Sequence, residues 1–458
     1  MHSKEEFKTR LRNISDLVFL NAVQNLKSEI EQNPNHENWS NEFKLKFKHQ
    51  VHDGFKLGQL RIIEEIILYQ KILIESKLNL KQARTNRDKI SESKIKSDIK
   101  EIETRLNMLS HIGDGIVWQL FGAQVYIIRR FYINESFKTL EESNIKHALQ
   151  VASIINQKPE NFALITDITN FIQIGDLIVL KDDQLGILEL KDGNVNNELM
   201  KLKKEYFKSE NIEEKLKEIG ERLDPKKMDQ FFRMLRQDLR MIQTIEVLNK
   251  DEGTDVKSGK RIKILTPKHN TDTYTKKIFE TINKLGESNW AYDVYFGGII
   301  HVGVYRPASY ELSQIALPAI LKDSKYKYII NYSTIIKNLS EPLFAKSFPP
   351  EIIHDLLFDD LRIILGLDLE KFFHDFEVLG VKTKVLSRKQ TIKLKEIDKL
   401  NAKNIFEINN QAFELTDEET GNSIILGGGI ISKLLYDNIS PMTIYMDLKE
   451  MFISKNSS

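Results

Sequence analysis

The chain contains no cysteine. That absence excludes disulfides, thiolate zinc sites and a cysteine nucleophile. Also missing is any run of about eighteen apolar residues, the length a membrane-spanning helix requires. The start, Met1 to Lys8, carries no secretory apolar segment. A cytoplasmic protein without membrane partners is therefore expected. Charge of one sign is not in excess either, since 67 Lys and Arg against 66 Asp and Glu leave a formal net charge of +1. Bulk electrostatics thus does not announce a nucleic-acid partner. Common catalytic signatures are absent: there is no His-Glu-x-x-His metal motif and no Gly-x-Ser-x-Gly nucleophile elbow. Gly253 to Lys260 imitates a phosphate loop, but its spacing is wrong and Arg261 stands where a magnesium-binding Ser or Thr is needed.

What is present is concentrated near the middle of the chain. Phe171 to Leu180 and Leu185 to Lys191 are two strand-like runs rich in Ile, Val and Leu, separated by Lys-Asp-Asp-Gln and closed by Asp192-Gly193. With Lys181 to Gln184 as a four-residue loop, Leu180 lies opposite Leu185, and counting back sets Asp176 opposite Glu189. Opposed residues share a face, and Lys191 shares it with Glu189 because strand side chains repeat every two residues. Two carboxylates about 5 Å apart at Cβ repel unless a cation lies between them. Oxygen-only ligands suit Mg²⁺ or Mn²⁺ rather than zinc. Lys191 would then orient or acidify an attacking water. A loop with an odd number of residues would turn Asp176 to the other face unless a bulge restored it.

Gly175-Asp176 followed by Glu189-Leu190-Lys191 resembles the PD-(D/E)XK nuclease superfamily, over a stretch from about Ile112 to Met241. Ile174-Gly175 stands where the family name leads one to expect a proline. The resemblance implies an α+β, restriction-endonuclease-like mixed sheet flanked by helices. It makes Asp176 and Glu189 metal-binding acids, with the Leu190 carbonyl as a further ligand, and Lys191 the catalytic lysine. The implied activity is Mg²⁺- or Mn²⁺-dependent cleavage of DNA, in a role such as defence against phage or other foreign DNA, with a companion defence protein as a candidate partner. Two alternatives stay open: a half-buried hairpin whose charges merely pair, in a non-catalytic scaffold or interaction protein, and an RNA-directed nuclease.

Upstream, Ile112 to Arg130 has helical spacing and reads as a first core helix, with Asp114 as its N-cap or as an acid supplied to the site, and Glu135 just beyond. Phe162 to Thr166 reads as a first strand. Downstream, Phe231 to Ile242 reads as an amphipathic helix with Arg233, Arg236, Gln237 and Arg240 on its polar side. Asp238 projects from the apolar side and needs a partner there. Family members often carry a Gln or Lys on the helix after the Glu-x-Lys strand. Gln237 fits that role, with Lys201 or Lys204 as substitutes if the helix-like segment Asn196 to Glu218 is the matching one.

The first 110 residues read as almost entirely helical, with a dense apolar stripe over Leu57 to Leu80, a polar weakly structured stretch at Arg84 to Ser93, and a second stripe over Ile95 to Leu109. A long helical hairpin is expected, suited to homo-oligomerisation or partner contact, or packed on its own neighbouring domain. Residues 111–306 are taken as the nuclease-like domain and 307–458 as an α/β accessory domain. In the latter half, Tyr292 to Tyr305 reads as a strand pair turning at Gly297-Gly298, which either completes the first sheet or opens another domain. Glu351 to Phe376 reads as helical, and Ile405 to Leu415 as strands around Asn409-Asn410. Val381 to Lys395 is basic without an acid, and Lys257 to Lys268 is a shorter basic stretch; either can neutralise phosphates. His301 reads as a satisfied core histidine, and Gly427 to Gly429 as a turn or close-packing site.

Overall fold

The structure is a computed structural model describing residues 2–122, 125–132, 140, 145–181, 184–191, 194–209, 211–254, 259, 261–263, 269–397 and 404–454. The chain forms two compact units, Met1–Ile264 and Leu265–Ser458. Both combine helices with antiparallel sheets, an α+β organisation. Among the described residues no helix is long and apolar enough to cross a membrane.

The first unit opens with α1 (Lys4–Phe19), followed by two long helices, α2 (Asn41–Thr85) and α3 (Lys89–Leu120). The helical hairpin expected from the apolar stripes is present, but its turn is tighter than the polar stretch Arg84 to Ser93 suggested. Asp88 caps α3 by accepting from the Ser91 amide at 3.1 Å, and Arg87 takes the left-handed conformation (φ 56°) that reverses the chain. Polar residues with good helix propensity fill the flanking turns. Helix α1 crosses α2 closely, and a Cβ at Gly58 would lie 2.1 Å from Val18 Cγ2.

Helix α3 runs through residue 110 without a break, so Ile112 to Leu120 of the segment read as a separate first core helix is the C-terminal part of α3, and Val125–Ile128 is a short helix of its own. Asp114 is consequently not an N-cap. It is buried in mid-helix, where its carboxylate accepts from the Asn170 amide at 2.8 Å and from Asn170 Nδ2 at 2.7 Å.

After α4 (Ile145–Ile155), a three-stranded antiparallel sheet forms in the order β1 (Phe162–Ile165), β2 (Leu177–Lys181) and β3 (Gln184–Leu188). It is a meander, so the mixed sheet that the family resemblance implies is not found among the described residues. The outer edge of β1 is closed by a helix side chain: Gln59 of α2 donates to the Ala163 carbonyl (3.1 Å) and accepts from the Ile165 amide (2.8 Å). A buried glutamine here does the work of a neighbouring strand. The N-terminal helices are therefore packed on the sheet.

Strands β2 and β3 pair Leu180 with Leu185 and Leu177 with Leu188, the expected register. Lys181 and Gln184 extend the ladder by one pair, leaving two residues rather than four between the strands. Parity, and with it the facing of the side chains within the ladder, is unchanged. Phe171 to Asp176, expected to begin the strand, is irregular: the Gln173 amide donates to the Phe131 carbonyl at 2.9 Å, and Thr166 holds the Gly175 and Asp176 carbonyls.

The chain then runs through α5 (Asn194–Lys208), α6 (Ile212–Arg222) and α7 (Pro225–Lys250). Leu199, Leu202, Ile219, Phe231 and Met234 form their shared core. A short ribbon, β4 (Glu252–Thr254) with β5 (Arg261–Lys263), ends the unit. Leu239 and Ile242 of α7, expected on the buried side, are each 55% exposed, since the helix extends beyond the partners that cover Phe231 and Met234.

In the second unit α8 (Thr275–Asn283) precedes β6 (Trp290–Tyr295) and β7 (Ile300–Tyr305), the expected strand pair. These open a sheet of this unit, so residues 111–306 are divided between the two units. The sheet is completed by β8 (Lys327–Asn331), which follows α9 (Tyr310–Ile320), and by β9 (Arg362–Asp368), in the order β6-β7-β9-β8. The segment Glu351 to Phe376, expected to be helical, is instead α10 (Pro350–Leu357), β9 and α11 (Leu369–Val378). Ile363 to Leu367 are all buried at the sheet centre, and periodicity cannot separate such a strand from a buried helix. A second sheet combines β10 (Val381–Val385), β11 (Glu407–Ile408), β12 (Gln411–Asp417) and β13 (Ser423–Ile425), with α12 (Arg388–Ile397) between β10 and β11. Asn409 and Asn410 both adopt positive φ between β11 and β12, the two-residue hairpin turn asparagine favours. Helices α13 (Gly428–Leu435) and α14 (Pro441–Ser454) close the chain.

Candidate functional site

Asp176 and Glu189 stand just beyond the last pair of the β2–β3 ladder, Leu177 with Leu188. The ladder ends before the two acids pair, and the Asp176 amide donates to the Leu188 carbonyl at 2.8 Å, so Asp176 and Leu177 both face Leu188. Gly175 makes this turn into β2 with φ +79°. A Cβ there would meet Ile187 Cγ2 at 2.3 Å and the Leu188 carbonyl at 3.2 Å. Glycine is required on both counts, which accounts for its place immediately before the acid. Thr166, buried at the end of β1, fixes the same peptide: its hydroxyl donates to the carbonyls of Gly175 (2.7 Å) and Asp176 (3.2 Å), and its amide to that of Asp176 (3.1 Å). Nothing in the sequence marks Thr166 beyond its position after an apolar strand.

The side chains converge as follows. Asp176 Oδ2 accepts from the Leu190 amide at 2.6 Å. Lys191 Nζ donates to Glu189 Oε1 at 2.5 Å and to Gln237 Oε1 at 2.8 Å. Lys191 and Glu189 are 13% and 15% exposed at the side chain, enough for solvent or a substrate to reach them. Gln237 arrives from the middle of α7, so the two helices after Lys191 form a return loop that brings a distant amide to the lysine.

Lys201 and Lys204 do not take that place, since both are exposed on α5. Lys203 between them turns inward instead and pairs with Asp238 at 2.6 Å, supplying the partner that this buried acid needs and locking α7 against α5. Asp114 is committed to Asn170 and thereby holds the loop leading to Gly175. Glu135 lies outside the described residues.

Among the described residues no three His, Asp or Glu side chains gather to cage a metal by themselves. Asp176 and Glu189 offer two carboxylates, with the Leu190 carbonyl between Glu189 and Lys191 in the chain. That oxygen-only set fits a hard divalent ion, which takes one or two carboxylates and keeps several waters.

Of the basic segments, Val381 to Lys395 is partly neutralised: Lys382 pairs with Glu418 (2.5 Å), Lys384 with Glu414 (3.1 Å) and Lys395 with Glu407. Most of Lys257 to Lys268 lies outside the described residues. Arg233 and Arg236 are exposed on the α7 face that carries Gln237, with Arg240 half-buried beside them. His301 is buried between the Tyr292 hydroxyl (2.7 Å to Nδ1) and the Gly298 carbonyl (2.9 Å to Nε2), a satisfied core histidine. Gly427 to Gly429 is not a plain turn, because Gly427 caps the start of α13.

Comparison with protein-family models, with curated proteins and with solved structures finds no match for this chain.

Proposed function

We propose that the protein is a divalent-metal-dependent nuclease that hydrolyses DNA phosphodiester bonds, acting at Asp176, Glu189 and Lys191. The observation that carries this reading is the meeting of Lys191 with Glu189 and with Gln237, 46 residues further along the chain, next to the Leu190 amide that holds the Asp176 carboxylate. Partly buried charges of both signs gathered at a sheet end are candidates for meeting a charged ligand.

Asp176 and Glu189, with the Leu190 carbonyl, would hold Mg²⁺ or Mn²⁺. The bound ion supplies Lewis-acid stabilisation of charge on the phosphate and the departing oxygen. The protein's own groups do the remaining work. The Leu190 amide fixes the Asp176 carboxylate, and Thr166 fixes the backbone that carries it. Gln237 accepts one Lys191 proton and so aims the ammonium at the reacting phosphate, where it orients the attacking water. Arg233, Arg236 and Arg240 lie on the same helix as Gln237 and suit the phosphates of an entering strand. A role in defence against foreign DNA, alone or with a companion protein, accords with this chemistry.

The test is incubation of the purified chain with plasmid, linear duplex, single-stranded DNA and RNA, in Mg²⁺, Mn²⁺ or EDTA. Metal-dependent cutting of DNA is expected. Cutting of RNA alone would redirect the substrate assignment, and inertness of the folded protein together with no Mn²⁺ binding would favour a non-catalytic scaffold.

A further inference from the structure

Helix α2 is apolar on two opposite sides between residues 57 and 78. One side is used within the first unit, where Ile62, Ile66 and Tyr69 are 0, 3 and 0% exposed. The other carries Leu57, Leu60, Ile67, Ile74 and Leu78. Of these, Leu57, Leu60, Ile74 and Leu78 are 51, 47, 43 and 58% exposed. Glu64 and Lys71 complete the series, and the seven positions are spaced alternately three and four residues apart. That is the heptad seam of a coiled coil, here about 30 Å long. A helix with apolar stripes on two opposite sides has a second stripe for a partner to cover.

We propose that this seam pairs with the same seam of a second copy of the chain, antiparallel, about a two-fold axis near residues 67 and 68. The order of charges selects both the partner and the direction. About that axis Leu57 meets the partner's Leu78, Glu64 meets the partner's Lys71, and Arg61 meets the partner's Glu75 to within one residue's rise. In a parallel, in-register pair each of these charges faces its own like charge. Arg61 and Glu64 are already joined at 2.9 Å within the helix, which lines the two charges up along the seam. Lys71 and Glu75 are exposed. The inference is independent of the cleavage reading.

Sedimentation equilibrium of the full chain tests it. The wild type is expected to be a dimer, and Lys71→Glu or Glu64→Lys should each weaken association at least about tenfold by setting like charges together on the seam. An equal mixture of these two variants should reassociate. All substituted positions are exposed, and circular dichroism verifies that each variant folds. Direction is read by cross-linking, which the lack of native cysteine makes unambiguous: Leu57→Cys mixed with Leu78→Cys should oxidise to a covalent dimer, and neither should do so alone. A wild-type monomer up to about 100 µM, a dimer indifferent to both charge reversals, or self-linking of Leu57→Cys as efficient as the mixture would overturn the proposal.

Discussion

Lys191 Nζ lies 2.8 Å from Gln237 Oε1, across 46 residues of chain. The contact sets the direction in which the ammonium points, since Glu189 takes a second of its protons. Gln237→Ala is therefore expected to lower kcat about tenfold to a hundredfold with KM little changed, the penalty of a misaimed catalytic group. Steady-state cleavage kinetics with the variant measure the split. A rise in KM at constant kcat would assign Gln237 to substrate binding instead.

Gly175 combines a left-handed backbone with contact against β3. Gly175→Ala should destabilise the first unit by about 1–3 kcal/mol, from strain and overpacking together. Because the peptide that moves is the one Thr166 holds, activity should fall further than stability does. Thermal melts paired with cleavage rates at a temperature where the variant stays folded separate the two effects.

Arg233 and Arg236 are exposed on the polar face beside Gln237. If they meet phosphates, Arg233→Gln should weaken DNA binding without changing sequence preference. It should also reduce the slope of log affinity against log salt by about 0.9 for duplex DNA. Fluorescence anisotropy across a salt series reads that slope, and an unchanged slope would remove Arg233 from the interface.

His301 donates from Nε2 to the Gly298 carbonyl and so receives the Tyr292 hydroxyl at Nδ1, the neutral tautomer. Burial holds its pKa below the ordinary histidine value, against the pull of the Gly298 hydrogen bond in the other direction. As pH falls below about 6.5, the unfolded chain takes up this proton and the folded one does not. The second unit should thus lose stability from there down to the folded pKa, and His301→Gln should flatten that part of the curve. Urea midpoints of both proteins between pH 7 and pH 5 provide the comparison.

The parts of the site that could be read from the chain are those governed by strand parity. Two apolar runs with an even number of residues between them predict the Leu180–Leu185 pairing whichever even loop closes the hairpin, and the observed ladder, which runs as far as Leu177 with Leu188, keeps that register. Gln237 and Asp238 were legible from the helical period, as an amide on the edge of a polar face and an acid on the wrong one. Their partners were not, because Lys191 and Lys203 are specified by how α5, α6 and α7 fold back, which no local pattern encodes.

The misreadings have similarly physical origins. Asp114 looked like an N-cap because it stands near the start of the apolar stretch Ile112 to Arg130, yet α3 runs straight through it, and Gly113 beside it is there for contact: a Cβ would lie 2.6 Å from the Ile168 carbonyl. Strand β9 was hidden because a central strand buried on both faces has no alternation to display. Gln59 as the closing partner of β1 could not have been foreseen, since its function depends on two backbone groups more than a hundred residues away.

Plasmid cleavage by wild-type and Lys191→Ala protein, side by side in Mg²⁺, tests the central claim most directly. Lys191 is partly exposed at the end of a strand and supports no core packing, so the variant should fold as the wild type does. Metal-dependent cutting by the wild type, reduced at least about a hundredfold in the variant, is the predicted result. Equal cutting by the two proteins would contradict it.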